Sequence, residues 1–141
     1  PLGWYETKIQ GNLLIRKIIS GTEERTEETT IESFIDGHKI DYVKNKVAFD
    51  LEWNSKDQTF DRDLYAFRTF HECHIIGAAI LVTRSALLNQ VFEELNIKKK
   101  YGASTTWMGK LLYRLQAGRN GGCPVLAVGI TPKVIEGWDK K

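Results

Sequence analysis

The sequence predicts an α/β fold in which helices flank a mixed β-sheet. Strand-type and helix-type patterns alternate along the chain, and the apolar runs at residues 75–82 and 125–130 are typical of strands buried inside such a sheet. The chain has 141 residues, of which 42% are hydrophobic, so it can bury one modest core. We therefore expect a single domain over residues 1–141.

The N-terminal part is predicted to be β-structure. Residues 4–19 contain two strand-like runs around the turn signal Gly11-Asn12, which predicts a hairpin. Residues 21–32 are rich in Thr and Glu and have no apolar stripe, so we expect an exposed loop or a frayed edge there. Residues 39–43 and 46–53 predict two strands, with Asn45 in the turn between them.

Helical spacing predicts three helices in the rest of the chain. The first has apolar residues at positions 60, 64, 67 and 70, and Asp61 and Asp63 favour its N-terminal end. Arg62, Asp63 and Arg68 are expected to form ion pairs on this helix. Ser85 is a candidate cap for a second helix, whose apolar stripe would be Leu87, Leu88, Val91, Phe92 and Leu95. Residues 107–115 predict the third helix.

The charge is nearly balanced in sum but not in distribution. The formal net charge is +2, yet residues 1–64 hold nine basic and thirteen acidic side chains, and residues 65–141 hold eleven basic and five acidic ones. The small net charge excludes only indiscriminate electrostatic binding. Functional sites often need such an uneven distribution, with acids concentrated in one half of the chain and cations in the other.

Two cysteines, Cys73 and Cys123, lie far apart without a CxxC partner, which excludes a thiolate zinc site and argues against a disulfide framework. We expect free thiols in a reducing compartment. The apolar runs are too short to span a bilayer, so no membrane partner is expected.

Three carboxylates are predicted to converge at one edge of the sheet. Asp50 and Glu52 are two residues apart on a predicted strand, so their side chains share a face, and pairing with residues 39–43 would bring Asp41 alongside. Converging carboxylates repel one another and need a cation, and oxygen ligands suit Mg²⁺, which supports phosphodiester hydrolysis. The alternative is that these acids lie on an ordinary solvated strand face.

Three blocks carry a family resemblance: Asp41-Tyr-Val-Lys-Asn-Lys-Val-Ala-Phe-Asp50-Leu-Glu52 with its continuation to residue 64, Tyr101-Gly-Ala-Ser-Thr-Thr106, and Gly121-Gly-Cys-Pro-Val-Leu126. In this order and spacing the chain resembles type II restriction endonucleases of the BglII/BstYI kind over residues 36–132. The resemblance implies a restriction-endonuclease-like fold of the PD-(D/E)xK superfamily. It also implies a homodimer that cuts palindromic double-stranded DNA centred on GATC, leaves 5′ overhangs and acts in the prokaryotic cytoplasm. Relatives carry an N-terminal helical region that we expect to be missing here.

The resemblance also assigns roles to the acids. Asp41 matches the first acid of the motif, Asp50 the second and Glu52 the third position, so these three residues are the candidate catalytic residues. The metal would be held by Asp41, by Asp50 and by the backbone carbonyl of Leu51. The wider superfamily has Lys at the third position, whereas this kind has Gln or Glu. Asp50 is one methylene shorter than the usual Glu, and we expect activity to survive this change.

Two polar segments are candidates for reading DNA. Asn54, Ser55 and Lys56 directly follow the catalytic strand, and such side chains can bond base edges in the major groove. The resemblance assigns this segment to the outer base pairs, and it assigns a second segment, Ser104, Thr105 and Thr106, to the inner ones. The alternatives are an ordinary polar turn for the first segment and a helix cap from Thr105 or Thr106 for the second.

Cations near the second segment are candidates for phosphate contacts. They are Lys99 and Lys100 in a run with Lys98, together with Lys110, Arg114 and Arg119. The alternative for the lysine run is a solvated helix end.

The favoured hypothesis is therefore a Mg²⁺-dependent, site-specific DNA endonuclease. A DNA-binding module of the same fold that has lost cleavage is the first alternative, and a plain α/β interaction domain is the second.

Overall fold

The computed structural model describes residues 2–21, 23–102 and 104–138. Five strands form one mixed sheet in the order β1-β2-β3-β4-β5. The strands are β1 (Tyr5–Ile19), β2 (Arg25–Lys44), β3 (Val47–Glu52), β4 (Ala78–Arg84) and β5 (Val125–Ile130). The helices are α1 (Thr59–Glu72), α2 (Leu88–Glu94), α3 (Met108–Gln116) and a 3₁₀ turn at Pro132–Val134. This architecture confirms the predicted α/β class with a mixed sheet.

The chain divides into two compact units. One unit, here called the arm, is formed by Lys8–Lys39. The other, the main unit, contains the residues up to Thr7 and those from Ile40 onward. The candidate catalytic and DNA-reading residues all belong to the main unit. One nuclease domain over the whole chain stays a prediction.

In the arm, the predicted hairpin around Gly11-Asn12 is wrong, because β1 runs straight through these two residues. Gly11 lies against β2, where an added Cβ would be 3.7 Å from Cδ1 of Ile35. The Asn12 side-chain oxygen accepts the backbone N–H of Ser33 at 2.9 Å. The Gly-Asn pair therefore serves cross-strand packing and pairing instead of a turn.

The predicted loop or frayed edge at residues 21–32 is also wrong for residues 25–32, which form the first part of β2, between β1 and β3 in the strand order. These residues are exposed, as expected, but cross-strand ion pairs hold them. Arg16 pairs with Glu28 at 2.8 Å, and Lys17 pairs with Glu27 at 2.9 Å. Opposite charges on facing strands, together with threonines, compensate for the absent apolar stripe.

In the main unit, β2 and β3 form the predicted antiparallel pair. Asn45 and Lys46 both have positive φ, 49° and 63°, as the tight primed hairpin turns require. β3, β4 and β5 are mutually parallel and are connected through helices, which is how parallel neighbours are joined.

Helix α1 confirms the prediction from apolar spacing, because Phe60, Leu64, Phe67 and Phe70 are all fully buried. They share the core of the main unit with side chains of the sheet such as Leu81. Helix α3 is likewise present where helical spacing predicts it.

The predicted Ser85 cap is wrong. α2 begins only at Leu88, its N-terminal residue Leu87 makes no side-chain cap bond, and Ser85 Oγ is buried without a partner among the described residues. The apolar stripe is also narrower than predicted, because Leu87 and Leu95 are exposed. Leu88, Val91 and Phe92 form the buried face of the helix.

The two apolar runs are strands, but they are less buried than predicted. β4 begins at Ala78 instead of residue 75, and Ile75 is exposed. β5 is the edge strand of the sheet and leaves Leu126 60% exposed. A run of apolar residues does not show whether a strand lies at the centre of a sheet or at its edge.

Candidate functional site

The C-terminal end of strand β3 buries its two acids and exposes the apolar residues Leu51 and Trp53 beside them. Asp50 and Glu52 are only 6% and 9% exposed, whereas Leu51 is 50% and Trp53 37% exposed. Burying carboxylates costs free energy that burying leucine and tryptophan would not. The arrangement is therefore poor for stability alone and typical of residues placed for chemistry.

Asp41 and Asp50 meet at the edge where β2 and β3 part. The register pairs Tyr42 with Phe49, and one residue further the backbone N–H of Asp41 donates to Oδ1 of Asp50 at 3.1 Å. The predicted approach of these two acids is thus present. The pKa of Asp50 rises to about 7, mainly through burial and also through the charges of Asp41 and Glu52. The hydrogen bond from Asp41 opposes that rise.

A fourth acid, Asp63 of α1, was not predicted as part of this site. It is 4% exposed, and its Oδ1 accepts hydrogen bonds from Nε and Nη2 of Arg62 at 3.1 and 3.0 Å. Nη2 of Arg62 also lies 3.6 Å from Oε1 of Glu52. Burial, followed by the charge of Glu52, raises the pKa of Asp63 to about 7.

The predicted ion pair between Arg62 and Asp63 is confirmed, as is a pair between Arg68 and Glu72. The proximity of Asp63 to Glu52 is the part that sequence reasoning missed. A signal was available, because position 63 lies within the apolar stripe of α1, beside positions 60 and 67.

The donor chemistry of this edge fits a hard divalent cation. The charges of Asp41 and Glu52 act on Asp50, those of Glu52 and Asp50 act on Asp63, and Oδ2 of Asp63 is buried without a hydrogen-bond partner among the described residues. Within residues 2–21, 23–102 and 104–138, no group of three or more His, Cys, Asp or Glu side chains is arranged to hold a metal ion. An ion at this edge would therefore need solvent to complete its shell.

The two predicted DNA-reading segments lie side by side, which their separation in sequence did not indicate. Lys56 pairs with Thr105 in an antiparallel bridge. The backbone N–H of Asp57 donates to the carbonyl of Ser104, and that of Thr106 donates to the carbonyl of Ser55, both at 2.9 Å. We call residues 54–57 and 104–106 together the paired loop.

Side chains of the paired loop differ in accessibility. Lys56 and Ser104 are exposed, Asn54, Ser55 and Thr105 are half-buried, and Thr106 is fully buried. The predicted helix cap is wrong, since α3 has Trp107 at its N-terminus and no side-chain cap bond. The Thr105 hydroxyl donates instead to the carbonyl of Gly102 at 2.7 Å. Ala103, within the second block of the resemblance, lies outside the described residues.

The predicted phosphate-binding cations fall into two groups. Lys99 and Lys100 are exposed and precede the second half of the paired loop along the chain, whereas Lys98 pairs with Glu93. The prediction for Arg114 is wrong, because this side chain is buried and holds both carboxylate oxygens of Asp61 at 3.0 Å. Lys110 lies 3.6 Å from Asp57, and Arg119 pairs with Asp61.

The sequence profile of the restriction endonuclease BglII/BglIII family matches residues 1–130. The chain belongs to this family. The match confirms the family recognised from the three blocks, and it extends across the arm as well as the main unit. Membership implies a type II nuclease that acts on DNA and cleaves it at specific sites. No curated protein matches the chain. None of the helices in the described ranges has the length and apolar character needed to cross a membrane.

Proposed function

We propose that this restriction endonuclease is a Mg²⁺-dependent homodimer that cleaves palindromic duplex DNA centred on GATC, leaves 5′ overhangs and works in the prokaryotic cytoplasm. The observation that carries the proposal is the burial of Asp50 and Glu52 beside Asp41, directly ahead of the paired loop. The residues that cleave DNA and the residues that recognise its bases would then follow one another directly along the chain.

Asp41, Asp50 and the backbone carbonyl of Leu51 are the groups that would hold the Mg²⁺ ion. When bound, the ion would polarise the scissile phosphate and lower the pKa of a nearby water. Thr83 supports the backbone next to Leu51, because its hydroxyl donates to the carbonyl of Glu52 at 2.7 Å.

Glu52 and Arg62 would complete the reaction. Glu52 would orient the attacking water and accept its proton, while the water oxygen bonds to phosphorus, the bond from phosphorus to the 3′ oxygen breaks, and the 3′ oxygen takes a proton from solvent. The Arg62 side chain is 74% exposed and anchored by Asp63, so its guanidinium can meet the scissile phosphate. It would supply the positive charge that other superfamily members obtain from a lysine at the position of Glu52.

The paired loop would read the bases. Lys56 and Ser104 are exposed and Asn54, Ser55 and Thr105 are half-buried, so we assign base-edge contacts to these five residues. Thr106 is buried, and we assign it to supporting the loop through its backbone bond to Ser55. Lys99 and Lys100 would contact phosphates.

A homodimer follows from the symmetry of the proposed site. A palindrome presents the same half-site twice, related by a two-fold axis, and two copies of one chain match that symmetry. Each copy would then cut one strand.

The test is cleavage of plasmid DNA with Mg²⁺ by the wild type and by Asp41→Ala. Discrete fragments are expected from the wild type and none from Asp41→Ala, while Asp36→Ala, which changes an exposed acid of the arm, should cut normally. Mapping the fragment ends should reveal GATC at the centre of each site. Plasmid that is retarded on a gel but uncut by the wild type would show a DNA-binding module, and plasmid neither cut nor retarded would refute both readings.

A further inference from the structure

Arg84, the last residue of β4, is a buried cation that the proposed chemistry does not use. It is fully buried and follows Thr83, the sheet partner of Glu52. Burial lowers the pKa of its guanidinium, and no carboxylate of the described residues pairs with it. A buried charge without a counter-ion is costly, so an apolar residue would be the more stable choice here. Arg84 therefore has a role other than stability.

The guanidinium of Arg84 is bonded to the paired loop. Its Nε donates to the carbonyl of Thr106 at 3.0 Å, and its Nη2 donates to the hydroxyl of Thr105 at 2.6 Å. The planar fork of an arginine offers these donors at a fixed angle, which a lysine cannot do. Two consecutive residues of the loop are thereby held by one side chain.

Two stacked aromatic rings fix the guanidinium itself. The Cζ atom of Arg84 lies 5.2 Å from the ring centre of Phe92 and 5.5 Å from that of Tyr101. The two rings stack with centres 4.3 Å apart. Cation–π attraction strengthens when water is excluded, as it is here.

The hold of Arg84 extends to both halves of the paired loop. Thr105 and Thr106 are the residues that pair with Lys56 and Ser55. A shift of the Arg84 fork would therefore move residues 104–106 and loosen their register with residues 54–57. Specific readout requires side chains held within about 0.5 Å of the productive position.

We propose that Arg84 is a positioning residue for sequence discrimination, which holds both halves of the paired loop in register without touching DNA. The inference rests on the proposed function. It predicts that replacing the Arg84 guanidinium reduces the discrimination between DNA sequences more than it weakens the affinity that comes from phosphate contacts.

The test compares kcat/KM on short duplexes that carry a GATC-centred site mapped from the plasmid fragments with kcat/KM on duplexes in which one central base pair of that site is changed. Arg84→Lys keeps the charge but loses the fork, and Phe92→Leu removes one aromatic face from the guanidinium. Both variants should lower the ratio of the two kcat/KM values by about tenfold, the size of one lost base contact. Affinity for a duplex without GATC should stay within about twofold of the wild type.

The matched control is Phe70→Leu, the same substitution at a fully buried position near the C-terminal end of α1. It should lower the unfolding temperature and leave the discrimination ratio unchanged. An equal fall of the ratio in Phe70→Leu, or an unchanged ratio in Phe92→Leu and in Arg84→Lys, would overturn the inference. Should Arg84→Lys fail to fold, Phe92→Leu decides alone. A wild type that neither binds nor cleaves plasmid DNA refutes the proposed function and the inference together. A wild type that discriminates between the duplexes, with variants that discriminate equally well, refutes only the inference.

Discussion

Asp50 and Asp63 are buried acids whose pKa values are both raised to about 7. In the unfolded chain each acid has its ordinary pKa near 3.8, so the folded chain binds more protons than the unfolded chain between about pH 4 and pH 7. The stability that this uptake contributes is complete at acid pH and is lost as the pH rises through about 7. At alkaline pH and without a bound cation, both buried carboxylates are charged in the folded chain, which lowers its stability.

Replacing Asp50 by Asn should therefore stabilise the metal-free protein at alkaline pH. We expect the free energy of unfolding to rise by roughly 2–4 kcal/mol at about pH 9 and to change little at about pH 4. Urea unfolding at the two pH values measures this. Asp36→Asn, an exposed acid of the arm, is the control and should change neither value. An Asp50→Asn variant that is less stable at both pH values would show that the buried carboxylate is not under charge strain.

Arg62 is assigned to the scissile phosphate because it lies 3.6 Å from Glu52 and is largely exposed. Arg62→Gln should lower kcat by roughly 10²-fold, in line with the loss of one charge-stabilising donor. Steady-state cleavage of a GATC duplex separates this effect from KM, which should stay close to the wild-type value. Arg68→Gln, on the same helix and paired with Glu72, should leave kcat unchanged. Equal kcat values for the wild type and Arg62→Gln would remove Arg62 from the reaction.

The roles of the individual site residues could be predicted from sequence to different extents. The two-residue spacing of Asp50 and Glu52 and the length of the turn before them were sufficient to predict that Asp41 would approach, because strand geometry is local. The role of Arg114 could not be read from its charge, because its partner Asp61 is distant in sequence. Arg84 gave no signal, since a cation at the end of an apolar run does not show whether it is buried.

At the scale of elements, the arm has secondary structure but little core of its own. Its described residues are mostly exposed, including Leu14, Ile18 and Phe34, and its cross-strand ion pairs are solvated. Two-stranded ribbons of this kind are marginally stable, and exposed ion pairs contribute little. Strand β4, by contrast, is hydrogen-bonded to neighbours on both sides.

Backbone amides of the arm should therefore exchange with solvent much faster than those of β4. Hydrogen exchange followed by mass spectrometry on peptides from residues 8–39 and 78–84 measures the difference directly. Exchange in the arm is expected to be complete while β4 remains protected. Equal protection of the two segments would contradict the description of the arm as a marginal ribbon.

The arm is also where sequence patterns were least informative about elements. Gly11-Asn12 is a turn signal, yet cross-strand contacts with Ile35 and Ser33 keep the chain extended there. Helix α1, whose apolar positions follow one period, was predicted almost to its ends. Local periodicity determined the helices, whereas pairing between distant segments determined the strands of the arm.

At the scale of the whole molecule, the net charge of +2 conceals separate acidic and basic regions. The acids of β3 and α1 belong to the candidate cleavage site. Residues 65–141 offer fewer cations to DNA phosphates than their composition suggests, because Arg114 and Arg119 are paired with Asp61. Lys99 and Lys100 are exposed and precede the second half of the paired loop along the chain.

Replacing Lys99 and Lys100 together by Ala should weaken DNA binding at every sequence and reduce its dependence on salt. The slope of log K against log salt concentration should become less steep by about two, because each lost phosphate contact changes it by about 0.9. Fluorescence anisotropy over a salt series measures the slope. Lys133→Ala, an exposed lysine after β5, is the control and should leave it unchanged. An unaltered slope in the double variant would exclude these lysines from phosphate binding.

The central claim is that Asp50 and its neighbours form a metal-dependent cleavage site for GATC-centred DNA. Its most direct test is single-turnover cleavage of a duplex labelled on both strands, with the wild type and Asp50→Asn, in Mg²⁺ and in chelator. The proposed mechanism predicts a cut in each strand that leaves a 5′ overhang, for the wild type in Mg²⁺ only, with both proteins still binding the duplex. Cleavage by Asp50→Asn at the wild-type rate, or cleavage by the wild type in chelator, would contradict it.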